Sequence, residues 1–411
     1  MRKTLSPNQW TTQSPYLNVT PTFTTQDGAL TAKATGTPCF GRWIGEELPV
    51  QAGGYYRFNA TANVDNVKNP LECAHVLVSW QDGKDVVIQR DYVQIRSQCP
   101  LKFESILPAP DGSIVAVVEL AFKWEANGGI TWDDIFMEPA PTPAPRKIRV
   151  ASAYTKLPGG SISANLEAVL AAADMAASVK PDIVSFGETV LTRGVVPYTE
   201  GGVLLDGPEC AQIGAKARQY NMYIMMGIKI LENGLNRNCA VLFGRDGNVA
   251  GVYRKVQLPL EEVEAGVIPG DETVVFDTDF GKIGALICWD IAFAELSRDL
   301  ANKGCEIIFM PSNWNAPLQC ATRAADNGVF TVLTTPYFYE TPSMICNPLG
   351  ETLARCKKAK KSGFVYADID LNRVYTSYYF SVGPCMGEPK GVFAAEFRRN
   401  MCYFKPPVVN S

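Results

Sequence analysis

The chain has 411 residues, of which 46% are hydrophobic and 19% are charged, so it is long enough to bury large cores in two or three domains. Its 38 Lys and Arg residues nearly balance 42 Asp and Glu residues, and the net charge of −4 gives no electrostatic basis for binding nucleic acid or an anionic membrane. The chain has 1 histidine, His75, which excludes Ser-His-Asp or Cys-His catalysis in the C-terminal two-thirds.

The N-terminal residues and the short motifs narrow the class of protein further. Residues 1–16 lack the apolar core of a signal peptide, and no apolar run reaches about 18 residues, the length that spans a membrane. We therefore expect a cytoplasmic protein without membrane contact, whose 12 cysteines are mostly reduced. CxxC, HExxH, GxxxxGK[ST] and GxGxxG patterns are absent from the sequence, so we expect neither a metal nor another cofactor.

Residues 1–138 carry the pattern of short strands separated by turns. Segments rich in β-branched and aromatic residues alternate with Asp-Gly and Gly-Gly turn signals, and no helical period of useful length occurs. The pattern predicts an all-β, jelly-roll-like sandwich. The segments 41–60 and 128–139 resemble carbohydrate-binding modules, which implies a glycan ligand, although a sandwich used for packing or assembly fits equally well. Three tryptophans could either stack on a sugar or fill the sandwich core: Trp43, Trp80 and Trp132.

A proline-rich linker, residues 139–147, marks a domain boundary. Prolines at 139, 141, 143 and 145 favour an extended, semi-rigid spacer. After it, residues 148–411 alternate between strand and helix patterns, which predicts an α/β fold. The predicted strands cover 148–153, 182–187, 222–230, 238–244, 249–254, 283–287 and 306–311, and the predicted helices cover 163–179, 207–219 and 291–303.

Three polar side chains follow predicted strands of the second region. Glu188 follows strand 182–187, Lys255 follows strand 249–254, and Cys288 follows the apolar run 283–287. Open α/β proteins place their chemistry at such strand ends. A carboxylate, an ammonium and a thiol can supply a base, an oxyanion stabiliser and a nucleophile, and the ammonium favours the thiolate.

The segments around these residues resemble the nitrilase, or carbon–nitrogen hydrolase, superfamily. Three of them occur in the family's order and spacing: DIVSFGET at 182–189, VYRKVQLPLEE at 252–262 and IPGDETVVFDTDFGKIGALICWDIAFAE at 268–295. KGCEIIFMPSNW at 303–314 and TRAADNGVFTVLTT at 322–335 continue the likeness, and EFRRNMCYF at 396–404 resembles the family's C-terminal tail. The resemblance implies a four-layer α-β-β-α sandwich that forms a homodimer or a higher homo-oligomer.

The resemblance also implies roles for individual residues. Glu188 would be the general base, Cys288 the nucleophile, and Lys255 with the backbone N–H of Trp289 the oxyanion stabilisers. A second catalytic glutamate follows the lysine in this family. Glu262 is the best match, and Glu261 and Glu264 are alternatives in register. Two aromatic residues on loops after late strands are candidate substrate-binding residues: Trp314 and Tyr337.

The expected reaction is hydrolysis of an amide or carbamoyl substrate through a thioester. Asp326, Gln257 and Ala294 depart from the family's usual residues and leave the substrate subgroup open. Nitrile hydrolysis and N-acyl transfer are alternatives within the superfamily, and a carbohydrate-binding or assembly protein with an idle hydrolase domain is the alternative from another class. Ammonia release from a panel of amides and nitriles distinguishes amide hydrolysis, nitrile hydrolysis and N-acyl transfer. A glycan-binding assay on residues 1–138 tests the carbohydrate-binding alternative.

Overall fold

A computed structural model describes residues 3–4, 9–26, 28–195, 201–383 and 385–396. The chain divides into two compact units, one formed by Met1–Pro143 together with Thr376–Ser411 and the other by Ala144–Tyr375. The division after Pro143 lies inside the proline-rich segment 139–147.

The first unit is built from antiparallel strands whose side chains alternate between core and solvent. In Leu101–Pro108, for example, Leu101, Phe103 and Leu107 are buried while their neighbours are more exposed, the period of two expected for a strand that covers a core. Its strands up to the linker are β1 Lys3–Thr4, β2 Thr11–Gln13, β3 Thr22–Gln26, β4 Ala29–Lys33, β5 Phe40–Ile44, β6 Leu48–Pro49, β7 Tyr55–Asp65, β8 Ala74–Gln81, β9 Val87–Val93, β10 Ile95–Gln98, β11 Leu101–Pro108, β12 Val115–Lys123 and β13 Gly129–Ala140.

Two sheets of this unit share one core. One has the described strand order β10-β11-β7-β13-β4-β3, with β1 on β13, and the other begins β2-β5-β12-β8-β9. Trp43, Trp80 and Trp132 lie buried in the core cluster that both sheets supply, so they do not form an exposed platform for a sugar. The His75 ring packs edge-on against Tyr92 with ring centroids 5.4 Å apart, and burial lowers its pKa well below the usual value.

The second unit is mixed α/β, as predicted. Its strands are β14 Lys147–Tyr154, β15 Ile183–Ser185, β16 Tyr223–Glu232, β17 Leu235–Phe243, β18 Val249–Arg254, β19 Val275–Asp277, β20 Lys282–Ala285, β21 Ile307–Pro311, β22 Phe330–Thr334, β23 Ser343–Cys346, β24 Thr352–Arg355 and β25 Gly363–Asp370. Its α-helices are α1 Ile162–Ala176, α2 Pro208–Tyr220, α3 Leu260–Glu264, α4 Ala294–Asn302 and α5 Pro317–Asn327.

This unit contains two six-stranded sheets together with its helices. The described strand orders are β18-β17-β16-β15-β14-β25 and β19-β20-β21-β22-β23-β24. Side chains such as Val150 from the first sheet and Ile307 from the second share one core together with Leu300 of α4. The other face of the first sheet packs with α1 and α2 in a separate core that includes Val169 and Ile213. The two sheets therefore pack against each other, and α1 and α2 cover the other face of the first sheet.

Parallel pairing decides where the loops of this unit gather. Strands β14, β15 and β16 are mutually parallel, and so are β20, β21 and β22. The carboxyl ends of parallel neighbours lie at one edge of a sheet, so the loops after these strands are brought together. By length and composition, Ile162–Val179 is the described segment that could cross a membrane, with mean hydropathy 1.3, but Leu166 and Val169 of this segment are buried in the core.

The C-terminal segment differs from the predicted domain organisation, which assigned all of 148–411 to the second region. Strands β26 Ser377–Tyr379 and β27 Cys385–Gly387 extend the sheet of β9, and α6 Pro389–Glu396 follows them. Arg90 Nη1 donates to the Val382 carbonyl at 2.8 Å, and the Tyr92 hydroxyl donates to Glu396 at 3.0 Å. The segment from Thr376 thus belongs to the first unit, and residues 397–404 of the tail-like motif lie outside the described residues.

Candidate functional site

Glu188, Lys255 and Cys288 come together beside the carboxyl ends of strands in the second unit. Glu188 lies in the loop after β15, Lys255 directly follows β18, and Cys288 begins a 3-10 turn, Cys288–Ala292, after β20. The predicted strands before Glu188 and Cys288 each end about two residues earlier than expected, so both residues sit on short extensions. These extensions carry the side chains beyond the sheet edge.

A buried ion network surrounds the Lys255 ammonium. Its Nζ donates to Glu188 Oε1 at 2.9 Å and to Glu262 Oε1 at 2.7 Å, and all three side chains are nearly inaccessible to solvent. Burial alone would lower the pKa of Lys255, but the two carboxylates outweigh it and hold the pKa above its usual value. The lysine is therefore a permanent cation at neutral pH.

The structure distinguishes the three candidate second glutamates by position. All lie on the short helix α3, but Glu262 is buried against Lys255, whereas Glu261 and Glu264 are exposed to solvent. The sequence alone could not separate them because α3 is too short to show a helical period.

Asn238 of β17 is a member of this network that sequence reasoning missed. Its Nδ2 donates to Glu188 Oε1 at 2.8 Å and to Glu262 Oε1 at 3.1 Å, so one amide connects both carboxylates. The available signal was an asparagine directly before the apolar run 239–243, where its side chain was liable to be buried and a buried polar side chain needs partners.

Close backbone packing holds the Glu188 loop on β16. Gly227 donates its N–H to the Gly187 carbonyl at 3.1 Å. A Cβ at this glycine would lie 2.5 Å from the Gly187 oxygen and 2.6 Å from the Glu188 Cα, which no side chain can occupy. Glycine at 227 is therefore a steric requirement for the position of Glu188.

Cys288 adopts an unusual backbone conformation and a protonated resting state. Its φ of 48° lies in the left-handed region, which non-glycine residues rarely adopt outside functional or tightly constrained positions. Burial and the nearby Glu188 charge raise the pKa of the thiol to about 12, although Lys255 and hydrogen bonds from Ser312 and Asn313 lower it. The expected bias towards thiolate is thus outweighed, and the free thiol keeps its proton at neutral pH.

Asp290 fixes the turn that begins at Cys288. Its Oδ2 accepts the Ile287 N–H at 2.9 Å and the Tyr253 hydroxyl at 2.8 Å, and its Oδ1 accepts the Gln257 N–H at 2.7 Å. Burial raises the pKa of Asp290 to about 6 in spite of these donors. The side chain ties the Cys288 turn to the segment that carries Lys255.

Asn313, just after β21, supports Glu188 from another side. Its backbone N–H donates to Glu188 Oε2 at 2.8 Å, while its Oδ1 accepts from Arg193 Nη1. The Tyr339 hydroxyl donates to the Asn313 carbonyl at 2.6 Å, so the loop after β22 braces this residue. Glu188 therefore accepts hydrogen bonds at both oxygens and is held in one orientation.

A pocket of about 240 Å³ opens beside Glu188. Its walls come from the loops after β14, β15 and β22, and they include Arg193, Tyr337 and Phe338. Trp314 does not line this pocket; its ring lies 6.0 Å from that of Trp289, which is exposed and packs edge-on against Phe293. Within the described ranges, no cluster of three or more His, Cys, Asp or Glu side chains could hold a metal ion.

Comparison with known proteins gives a consistent result for the second unit. Residues 149–379 match the carbon–nitrogen hydrolase family. The omega-amidase NIT2 of Homo sapiens is 29% identical over 204 residues, which are 44% of this chain and 73% of the relative. The omega-amidase NIT2 of Danio rerio is 31% identical over 199 residues, covering 42% of this chain and 70% of the relative.

A solved structure with a similar fold is that of an amidase from Nesterenkonia sp., with a TM-score of 0.50 and 20% sequence identity. The superposed part covers 54% of this chain and 90% of the amidase. At this identity the likeness concerns the fold, and it extends over about the length of the second unit.

Proposed function

We propose that this member of the carbon–nitrogen hydrolase family hydrolyses small linear amides to a carboxylic acid and ammonia or an amine. The omega-amidase relatives support an amide over a nitrile. The observation on which the proposal chiefly rests is the Lys255 ammonium, buried between Glu188 and Glu262 and in electrostatic contact with Cys288.

Acylation begins with a thiol that is neutral at rest. The Cys288 sulfur attacks the amide carbonyl carbon while Glu188 takes its proton, so thiolate character develops only as the new C–S bond forms. The carbonyl oxygen becomes an oxyanion, which the Lys255 ammonium and the Trp289 backbone N–H stabilise. Glu188 then gives the proton to the leaving nitrogen, the C–N bond breaks, and ammonia or an amine departs from a thioester.

Deacylation repeats these roles with water. Glu188 takes a proton from water as its oxygen attacks the thioester carbon, and the same cation and N–H stabilise the second oxyanion. Collapse of this intermediate breaks the C–S bond, returns the proton to the sulfur and releases the acid. Glu262 neutralises one side of Lys255 and keeps the ammonium aimed at the reaction centre.

Ammonia release from a panel of linear amides and the matching nitriles tests the proposal. We expect turnover of amides, little turnover of nitriles, and an acyl adduct on Cys288 in intact-mass spectra. Preferential nitrile hydrolysis, or acyl transfer to an added amine without hydrolysis, would replace the amidase assignment with one of the other activities. Absence of every activity from folded protein would favour an idle hydrolase domain.

Three further expectations stay predictions: a cytoplasmic location, a homo-oligomer, and a glycan ligand for the first unit. With Trp43, Trp80 and Trp132 buried, a glycan would have to bind polar or other aromatic residues of that unit. The molar mass of the full chain, measured by light scattering, tests for a homo-oligomer. Binding of the full chain to a glycan array tests for a glycan ligand.

A further inference from the structure

Asn238 holds Glu188 by one of its two carboxylate oxygens. Asn238 is 1% exposed, and its Nδ2 donates to Glu188 Oε1 at 2.8 Å and to Glu262 Oε1 at 3.1 Å. The Asn238 carbonyl accepts the Lys255 N–H at 2.9 Å, so its backbone is tied to the lysine as well. The amide is therefore fixed inside the buried ion network by both its side chain and its main chain.

The two oxygens of Glu188 receive different numbers of hydrogen-bond donors. Oε1 accepts from Lys255 Nζ at 2.9 Å and from Asn238 Nδ2 at 2.8 Å. Among the residues that the structure describes, Oε2 accepts from the Asn313 N–H alone, at 2.8 Å. Each carboxylate oxygen has about two lone-pair sites. Both sites of Oε1 are thus in use, and one site of Oε2 remains to take a proton.

One backbone N–H brings this Oε2 oxygen to the nucleophile. The Asn313 N–H that donates to Oε2 also hydrogen-bonds the Cys288 sulfur, as does the Ser312 side chain. A sulfur and a carboxylate oxygen that share one donor lie close together, whereas Oε1 faces Lys255 and Asn238. The thiol proton therefore has its shortest path to Oε2.

We propose that Asn238 is a positioning residue for proton transfer: with Lys255 it occupies Oε1 of Glu188, so that Oε2 takes the proton of the Cys288 thiol and later that of water. The inference deepens the proposed amidase reaction and rests on it. In acylation the S–H bond breaks as the C–S bond forms, and the proton moves to Oε2 and then to the leaving nitrogen. In deacylation Oε2 takes a proton from water and returns it to the sulfur.

A purely structural role for Asn238 is the competing explanation, because the loss of a buried polar contact loosens its surroundings. The two roles differ in their dependence on pH. Loosened packing slows the reaction by a similar factor at every pH, whereas a lost donor at Oε1 destabilises the charged form of Glu188. The charged or titratable groups around Glu188 stay the same in a variant at position 238: Lys255, Glu262, Cys288 and Arg193.

The test measures kcat/KM for butanamide between pH 4 and pH 9 in Asn238→Leu, which keeps the side-chain volume and removes the donors. Because hydrogen bonds to a carboxylate favour its charged form, the acidic limb of the profile should move to higher pH by about one unit. On that limb kcat/KM should fall about tenfold, and at pH 9 it should come close to the wild-type value. Asn238→Ser, which keeps one hydroxyl donor, should show a smaller shift.

Asn347→Ser is the matched control, because Asn347 is another buried asparagine of the second unit whose Nδ2 donates to a carboxylate, Glu351 Oε2, at 2.7 Å. It should lower the melting temperature and leave the pH profile in place. An equal fall of kcat/KM at every pH in both Asn238 variants would establish the structural role and overturn the proposal. A value at pH 9 several-fold above wild type in Asn238→Leu would also overturn it, because removal of a donor from Oε1 speeds the reaction only if Oε1 takes the proton.

Alkylation of Cys288 by iodoacetamide separates this proposal from the amidase assignment, because it needs no amide turnover. The sulfur displaces iodide as the C–S bond forms, and Glu188 takes the thiol proton. The acidic limb of the alkylation rate should move to higher pH in Asn238→Leu, while Cys99, an exposed cysteine of the first unit, should react equally in both proteins. An unchanged pH dependence at Cys288 would overturn the proposal even if amides are hydrolysed. A shifted pH dependence in an enzyme that hydrolyses no amide would retain the positioning role and reject the proposed reaction.

Discussion

Both units bury acidic side chains, and two such side chains from the first unit can be compared with the pair that lies beside Cys288 in the second. In the first unit, Glu119 accepts from Arg42 at 2.5 Å and from Ser79 at 2.8 Å, and Asp91 accepts from Trp80 at 2.7 Å. These bonds join neighbouring strands of one sheet. In the second unit, Glu188 and Glu262 share one ammonium beside Cys288.

Strand direction explains the difference. Antiparallel strands alternate in direction, so the residues that follow them are divided between two edges of a sheet. Parallel strands end at the same edge, and the loops after β14, β15, β20, β21 and β22 supply the pocket, the proposed base, the proposed nucleophile and the donors that orient them. A polar cluster in the first unit therefore stabilises a sheet, whereas a cluster in the second can act on a substrate.

The largest expected effect on kcat comes from removing the proposed nucleophile, Cys288. Cys288→Ala should lower kcat by about 10⁴-fold or more, because it removes the thiol that would form the covalent intermediate. Cys99→Ala, at an exposed cysteine of the first unit, should leave kcat unchanged. Steady-state ammonia release and intact-mass spectra measure both. Turnover by Cys288→Ala close to the wild-type rate would remove the chemistry from this site.

Removal of a buried cation from each unit should separate catalysis from stability. Lys255→Met should reduce kcat about 10²- to 10³-fold and destabilise the second unit by about 3–5 kcal/mol, since two buried carboxylates lose their partner. Adding Glu262→Gln should restore part of the stability, because one of these charges is gone, without restoring kcat. Circular dichroism melts and single-turnover kinetics give the two quantities.

The matched change in the first unit is Arg42→Met, which leaves Glu119 without its cation. We expect the free energy of unfolding to fall by about 1–3 kcal/mol and kcat to stay unchanged. A loss of kcat comparable with that of Lys255→Met would show that the first unit takes part in the reaction.

Truncation tests whether the second unit performs the chemistry alone. A protein of residues 144–375 should fold and keep kcat/KM for a small amide within about tenfold, because each residue of the proposed mechanism lies inside it. A protein of residues 146–411 should be less soluble, because it keeps β26 and β27 without β9, their partner in the sheet. A folded, monodisperse 144–375 fragment without activity would show that the first unit helps to build the active site.

A further expected effect is a difference in pH dependence. Burial raises the pKa of Asp290 to about 6 from an ordinary value of 3.8, so its contribution to stability is complete below pH 3.8 and is lost as the pH rises through 6. Relative to Asp290→Asn, the wild type should therefore lose up to about 3 kcal/mol between pH 4 and pH 7. Melting temperatures of the two proteins at four pH values measure this, and a constant difference would contradict it.

Asp91→Asn provides the counterpart in the first unit, because burial also raises the pKa of Asp91. The stability of the wild type relative to Asp91→Asn should fall as the pH rises, the same direction as for the wild type relative to Asp290→Asn. Only Asp290→Asn should lower kcat, since only Asp290 holds the turn at the nucleophile.

The sequence was sufficient to find the residues that follow long or apolar strands. Glu188, Lys255 and Cys288 could be located because each ends a strand pattern within a recognisable segment. Arg193 and Asn313 could not, because their positions depend on loops that strand and helix periodicity does not describe. The assignment of the C-terminal segment failed for a related reason, since β26 and β27 have three residues each and their partner β9 lies almost 300 positions earlier in the chain.

The left-handed backbone at Cys288 limits how this enzyme can change its nucleophile. Serine has an unbranched Cβ and can occupy such a position at modest cost, so an evolutionary or engineered route to a hydroxyl nucleophile passes through serine. Threonine is less favourable, because its branched Cβ raises the cost of a positive φ, although Thr189 adopts a φ of 49° in this structure. Among folded variants at position 288, we expect serine, asparagine and glycine to be more stable than threonine and valine, which thermal melts of the purified proteins would measure.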